Sequence, residues 1–359
     1  MRVLYFGTYE RDYPRNAQVI SCLRRAGVEV EEHHVGVWEG SRQNWHAGIG
    51  TFARLSLAEV RLLRRPPGDF DALVVGYPGH FDLTAARRAA RGRPVVFNPL
   101  VSLSDTFVAD RGRFRGGSVP ARALSAVDRH ALRAADLVVA DTRANADYLA
   151  KLAGMRPDRV EVAFVGAEER VFTPGWTAEQ PFTVLFVGKL IPLHGVETIL
   201  AAARLAPGLR LRIVGSGQLE SLLEGAPANV EWVRWVEYEQ LPQELHRAGA
   251  ALGIFGTSDK ALRVIPNKAF QALACGTPLV TADTPAAREL LVHEHSALLV
   301  PPGDPTALAD ALLRLAADPE LARRLGDSGQ AAYEAQASEQ VLGARWRAVL
   351  ERVLESSRA

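Results

Sequence analysis

Residues 263–278 read RVIPNKAFQALACGTP. Pro266 suits the first turn of a helix, where its missing N–H is no loss. Phe270, Leu273 and Ala274 recur at i, i+3 and i+4 and give the helix a buried face. Gly276 stops it and Pro278 confirms the stop. An apolar strand at 278–281 follows at once, so the segment is a helix-then-strand step of an α/β sheet. Lys268 and Gln271 lie three apart and share a second face near the helix start. A helix N-terminus carries unpaired N–H groups and the positive dipole end, which suit an anion. With Arg263 and Lys268 beside it, the sharp expectation is a phosphate-bearing ligand. An ordinary α/β helix with solvated charges accounts for the same residues.

The same rhythm extends in both directions. Downstream of residue 181, short apolar runs at 183–187 (TVLFV), 209–214, 229–233, 250–255 and 278–281 read as buried strands. Helices are expected at 218–223, 285–291, 305–325 and 328–355, with a further apolar pair at 297–300. Upstream, strands are expected at 2–7 (RVLYFG), 28–33, 71–76 (DALVVG), 94–97, 135–140 and 159–165, and helices near 18–25, 51–65 and 144–153. TPGWTAEQP at 173–181 reads as a linker. The expected division is a domain at 1–172, a second at 182–335, and a last helix at 336–359 returning to the first.

At 359 residues the chain exceeds the usual size of one core. Its net charge of +1 gives no bulk electrostatic reason to expect nucleic acid as a partner. Residues 1–175 hold 25 basic against 20 acidic side chains, a mild excess that an anionic surface would tolerate. Phe52, Leu55, Val60 and Leu63 among Arg54, Arg61, Arg64 and Arg65 describe a basic amphipathic helix. Such a helix covers a sheet, or makes peripheral membrane contact through the N-terminal domain. Cys22 and Cys275 build no disulfide framework, which fits a reducing compartment. MRVLYFG is too short and too soon followed by charge to be a leader or anchor, so the expected location is cytoplasmic.

Ligands of open α/β sheets sit beyond the carboxyl ends of strands. That rule nominates His80, Asp82, Asn98, Ser102, Asp105 and Thr106 in the first half. In the second half Gly188-Lys189 ends a strand and His194-Gly195 opens a helix, a cradle for pyrophosphate. Gly215-x-Gly217 begins a dinucleotide fingerprint, but Glu220 stands where the third glycine belongs, so a nicotinamide cofactor is not expected. The clusters EEHH (31–34) and HEH (293–295) lack helical metal spacing and read as surface turns, and no metal is expected.

FVGKLIPLHGVETIL, LRIVGSGQLE, VEYEQLPQEL and PNKAFQALACGTPLVTADTPAARELL, in this order, resemble the family 4 retaining glycosyltransferases of the GT-B fold. ALLVPPGDPTALADALLRL continues the resemblance, which covers nearly all of 180–325. The first half matches at ADLVVADTRANADYL and VEVAFVGAEERVF. The resemblance implies two facing Rossmann-like domains with a cleft between them. It also implies metal-independent transfer, with retained configuration, from a nucleotide diphosphate sugar, UDP or GDP, and no further cofactor. The donor would lie on the second domain, and an unidentified acceptor (a glycan, a lipid-linked sugar or a small molecule) on the first.

Residue by residue, Lys189 matches the first of the family's two basic positions. His194 stands at the second, normally lysine, and an imidazole titrating near ~6.5 would make donor binding pH-sensitive there. Trp235 and Val236 fall where the backbone meets the base. The family's two glutamates, eight positions apart, are replaced by Arg263 and Gln271. Of the glycine-rich loop after the first strand only Gly7 remains. The donor set is therefore Gly7, Gly188, Lys189, His194, Gly215, Trp235, Val236, Arg263, Asn267, Lys268 and Gln271. The catalytic candidates are His80, with Asp105 as runner-up, and Lys189 and Arg263 for the leaving diphosphate. Trp38 and Trp45 are candidates for stacking on an acceptor sugar. Loss of both glutamates also fits a weakly active partner subunit or a nucleotide-sugar-binding protein. A sugar-nucleotide 2-epimerase shares the two-domain form but needs acid/base carboxylates.

Overall fold

The computed structural model describes residues 1–11, 13–37, 49–64 and 68–358. Trp38 and Trp45 lie outside them. The chain forms two compact units. The first comprises Met1–Val108, Gly112–Phe164 and Glu339–Ala359, the second Ala109–Arg111 and Val165–Ser338.

The first unit runs β1 (Arg2–Gly7), α1 (Pro14–Arg25), β2 (Glu29–His34), α2 (Ile49–Arg64), β3 (Ala72–Val75), α3 (Leu83–Ala90), β4 (Val95–Phe97), α4 (Val119–Ala134), β5 (Leu137–Ala140), α5 (Arg143–Ala153) and β6 (Val160–Val162). A π-helical turn at Asp105–Asp110 precedes α4. All pairings are parallel, in the order β2-β1-β3-β4-β5-β6. The winding therefore reverses between β1 and β3, and the loops after these two strands flank the switch point where α/β sheets bind ligands. EEHH proves to be most of the edge strand β2 and not a turn: Glu32 accepts from the Tyr9 hydroxyl at 2.7 Å, and His33 stacks on Phe6 at 5.4 Å.

The second unit runs β7 (Thr183–Val187), α6 (Val196–Leu205), β8 (Arg210–Val214), β9 (Val230–Val233), α7 (Leu241–Arg247), β10 (Ala250–Leu252), α8 (Asn267–Cys275), β11 (Leu279–Ala282), β12 (Leu298–Val300), α9 (Pro305–Ala317) and α10 (Pro319–Gln336). Its parallel sheet has the order β12-β11-β10-β7-β8-β9. Here the winding reverses between β7 and β10, so the switch point is flanked by the loop leaving β7 and the one joining β10 to α8. Phe186, Leu211, Ile213, Leu252, Phe255 and Val280 form the core with Leu308, Leu312 and Leu325.

The helices expected at 218–223 and 285–291 are only single 3-10 turns, Glu220–Leu223 and Ala287–Glu289. The long C-terminal pair is three helices, α9, α10 and α11 (Glu339–Arg358). Asp318 makes the extra break: its carboxylate accepts from Leu321 N at 2.9 Å, and Pro319 opens the next helix. In the first unit α11 packs on α1, with Leu342, Trp346 and Leu350 joining Val19, Cys22 and Leu23 in one cluster.

Candidate functional site

The second unit's switch point is built from backbone outward. Gly188 follows β7 and Gly215 follows β8, and the two turns touch. A Cβ on Gly215 would lie 1.9 Å from the Gly188 carbonyl oxygen, and Gly215 has φ of +147°. Only glycine meets both demands. The loop beyond is tied to the second strand by Leu190 N donating to Ser216 O at 2.9 Å, and to the β10 side by Phe255 N donating to His194 O at 3.2 Å. Within it the His194 ring donates from Nδ1 to the Lys189 carbonyl, which leaves Nε2 as the acceptor, and packs edge-on to Phe186. Lys189 itself is exposed. Burial holds the His194 pKa well below its ordinary value. His194 is therefore neutral near pH 7 and supplies no charge. The pH dependence of donor affinity in a His194→Gln protein is expected to parallel that of the unaltered protein from about pH 6 to about pH 8.5. A slope present in the unaltered protein alone would return that role to His194.

The helix of the opening motif lies across this loop. Pro266 precedes it without a side-chain cap, and Gly276 closes it in the left-handed region at φ of +74°. Every residue from Lys268 to Cys275 is buried, so its charge is not solvated. Lys268 is only 9% exposed. Its Nζ lies 3.9 Å from the Phe186 ring centroid and has no hydrogen-bond partner among the described residues. Arg263 ends the 3-10 turn Ala261–Arg263 before the helix and is half-buried. Asn267 is the first helical residue.

Gln271 sits one turn into α8, and its amide hydrogen-bonds the Tyr238 hydroxyl. Tyr238 in turn donates to Glu168 Oε1 at 3.4 Å, and Glu168 Oε2 pairs with Arg170 at 2.9 Å. Burial, then the Glu168 charge, push the Tyr238 phenol pKa up. Glu168 thus brings a buried carboxylate within one side chain of Gln271. Its only signal in the sequence was its place in VEVAFVGAEERVF.

Two other second-unit candidates stand apart from the switch point. Trp235 and Val236 follow β9, at the sheet edge, where Trp235 is 56% exposed and donates to Glu237 at 3.1 Å. The Gly217 N–H is taken by the Glu220 carboxylate at 2.9 Å, so the second glycine turn offers that donor to no phosphate.

The first unit's switch point is acidic. Asp82 packs so closely over Gly7 that a Cβ there would lie 2.2 Å from Oδ2, and its carboxylate accepts from Thr8 N at 2.7 Å and Thr8 Oγ1 at 3.0 Å. Glu59 of α2 adjoins it, and burial, then the hydrogen bond to Asp82, push the Glu59 pKa up to about 9. An anion therefore finds the Gly7 loop already occupied by a carboxylate. His80 is 3% exposed. Its Nδ1 donates to Pro78 O, Nε2 faces Asp128 Oδ1 at 3.5 Å, and its ring meets Phe97 edge-on at 5.1 Å. Both ring nitrogens thus face groups inside the unit. Asp105 begins the π-helical turn and is buried, with its N–H donating to Ser102 Oγ at 3.0 Å. Among the described residues no group of three or more His, Cys, Asp or Glu side chains is placed to hold a metal ion.

Residues 181–318 match the family model described as Glycosyl transferases group 1. A D-inositol 3-phosphate glycosyltransferase of Frankia alni is 30% identical over 325 residues, covering 81% of this chain and 75% of the relative. The chain belongs to the group 1 glycosyltransferases. A second relative of the same name, from Kribbella flavida, is 28% identical over 330 residues, 84% of this chain and 75% of its own. Among solved structures, sucrose-phosphate synthase from Thermosynechococcus elongatus has 18% identity and a TM-score of 0.77, over 99% of each chain. Anabaena Alr3699/HepE, solved in complex with UDP-glucose, has 17% identity and a TM-score of 0.69, over 99% of this chain and 100% of its own. At these identities the structural likeness is one of fold, and the fold of this glycosyltransferase is GT-B.

Proposed function

We propose that this glycosyltransferase moves a sugar from a UDP-sugar, held at the second unit's switch point, to a hydroxyl of its acceptor, with retained configuration and without a metal ion. The observation that carries the reading is the buried side-chain nitrogen of Lys268 at the start of α8, without a hydrogen-bond partner among the described residues and set against Gly188. As the C1–oxygen bond to the diphosphate breaks, negative charge grows on the leaving oxygens. The helix N-terminus, Lys189, Arg263 and Lys268 are the groups placed to stabilise it. Gln271 takes the ribose hydroxyl that a carboxylate would otherwise bind, through a weaker, neutral hydrogen bond. Trp235 and Val236 border the base.

The donor complexes of Alr3699/HepE support UDP over GDP as the donor nucleotide. Incubation with a series of nucleotide sugars in the presence of EDTA is expected to release nucleoside diphosphate slowly, and fastest from the UDP-sugars. Complete absence of release from every donor would favour the non-catalytic binding protein instead.

The acceptor belongs with the first unit. We propose that it meets α2, whose outer face carries Arg54, Leu57, Val60, Arg61 and Leu63, all exposed. Apolar residues flanked by arginines fit an anionic lipid surface. The protein is expected to co-sediment with phosphatidylglycerol vesicles and to be released when Leu57 and Val60 are both replaced by serine. Equal sedimentation of the two proteins would remove the membrane from the account. No helix among the described residues is long and apolar enough to cross a membrane.

A further inference from the structure

A lysine is costly to bury without a partner, because desolvation disfavours its charged form. Lys268 is such a lysine, and its place in the fold is specific. Its Nζ lies against the backbone at the end of β7: a Cβ on Gly188 would come within 2.7 Å of it, and would also lie 3.3 Å from His194 Cε1. It stands over Phe186 and belongs to the first turn of α8. Its stem lines a small cavity with Leu185, Val187 and Gln271. Among the described residues the groups around it offer no countercharge. From the loop after β7 come neutral His194 and the cation Lys189; from the segment before α8 come Arg263 and Lys260, the latter already paired with Asp110 at 3.2 Å. On its own helix the nearest polar neighbours are Asn267 and Gln271, and the carboxylate of Glu168 lies beyond Tyr238.

We propose that Lys268 is a cation of the diphosphate site, and that it takes up a proton as the donor binds. The inference rests on the donor reading above and deepens it. In the free protein burial holds the Lys268 pKa well below its ordinary value. A diphosphate arriving at Gly188 and the α8 N-terminus favours the ammonium, so binding and protonation are linked. The same burial has a consequence for stability. Because the folded-state pKa is depressed, the unfolded chain binds more protons between that value and about 10.4. Stability therefore rises with pH through that window, and Lys268→Met removes the rise.

The test is calorimetric titration of UDP at about pH 8, in two buffers of different ionisation enthalpy. The unaltered protein is expected to take up about one proton per UDP, and His194→Asn to do the same. Lys268→Met is expected to bind UDP about 100-fold more weakly without uptake. Lys268→Arg should bind better than Lys268→Met, again without uptake, since arginine is already charged. In the absence of nucleotide, Lys268→Met is expected to melt about 2–6 °C higher near pH 7, which shows that the weaker binding is not misfolding. UDP binding without proton uptake, or Lys268→Met binding as tightly as the unaltered protein, would overturn the inference and leave the donor reading standing. Failure of UDP and GDP alike to bind the unaltered protein would remove both.

Discussion

A protein carrying Gly215→Ala is expected to melt about 5–15 °C lower than the unaltered chain and to lose donor binding. The methyl group has nowhere to go. It would lie 1.9 Å from the Gly188 carbonyl oxygen, on a residue whose φ of +147° an alanine rarely adopts. Relief by shifting β7 is opposed by the ladder on both sides of the contact: Gly188 N donates to Val214 O and Gly215 N to Val233 O, each at 2.9 Å. Overpacking of about 1–3 kcal/mol and backbone strain of similar size give a combined loss of about 2–6 kcal/mol. The movement that remains pushes Gly188 away from Lys268 and opens the corner proposed for the diphosphate. Thermal denaturation followed by circular dichroism reads the first effect. An unchanged melting temperature would show that the β7 and β8 turns are not pressed together.

Lys189→Ala is expected to act on chemistry and not on stability. The side chain is exposed, and the contact that orders its loop uses its carbonyl, which accepts from His194 Nδ1 and survives the substitution. Loss of one charged group from a leaving-group site lowers kcat/KM by about 100- to 1,000-fold. Lys189→Arg should recover part of it, because the charge returns on a differently shaped head. Steady-state kinetics with a UDP-sugar, alongside a melting curve, separate the two effects. A large fall in melting temperature with little change in kcat/KM would move Lys189 from the reaction to the scaffold.

Much of this was legible in RVIPNKAFQALACGTP, and the way it fell short is physical. The helix start and stop are local features, set by Pro266 and Gly276, and the structure places them within a residue of where pattern reading does. The ordinary reading of its charge failed because burial is not local. Lys268 and Gln271 look like a solvated face, but the helix covers the sheet at its switch point, and the two side chains are buried and line a small cavity there. The broken C-terminal helices show the reverse case. An unbroken apolar pattern suggested two long helices, while one aspartate and one proline at 318–319 divide them. Glu168 was out of reach for a third reason. It is 103 residues from Gln271 in sequence, and only the chain path brings its carboxylate to Tyr238. His80 was nominated correctly as lying beyond a strand end, but pattern cannot reveal that Pro78 and Asp128 face both its nitrogens.

Binding of a nucleotide diphosphate sugar at the second unit's switch point is open to direct measurement. A thermal-shift panel of UDP-, GDP-, ADP- and TDP-sugars tests it most directly. A ligand at about 100 times its dissociation constant adds about 2.7 kcal/mol. For a unit of this size that raises the melting temperature by about 5–10 °C. A shift of that size is expected with the UDP-sugars, and its loss in Gly215→Ala. No shift with any of the four nucleotides would contradict it.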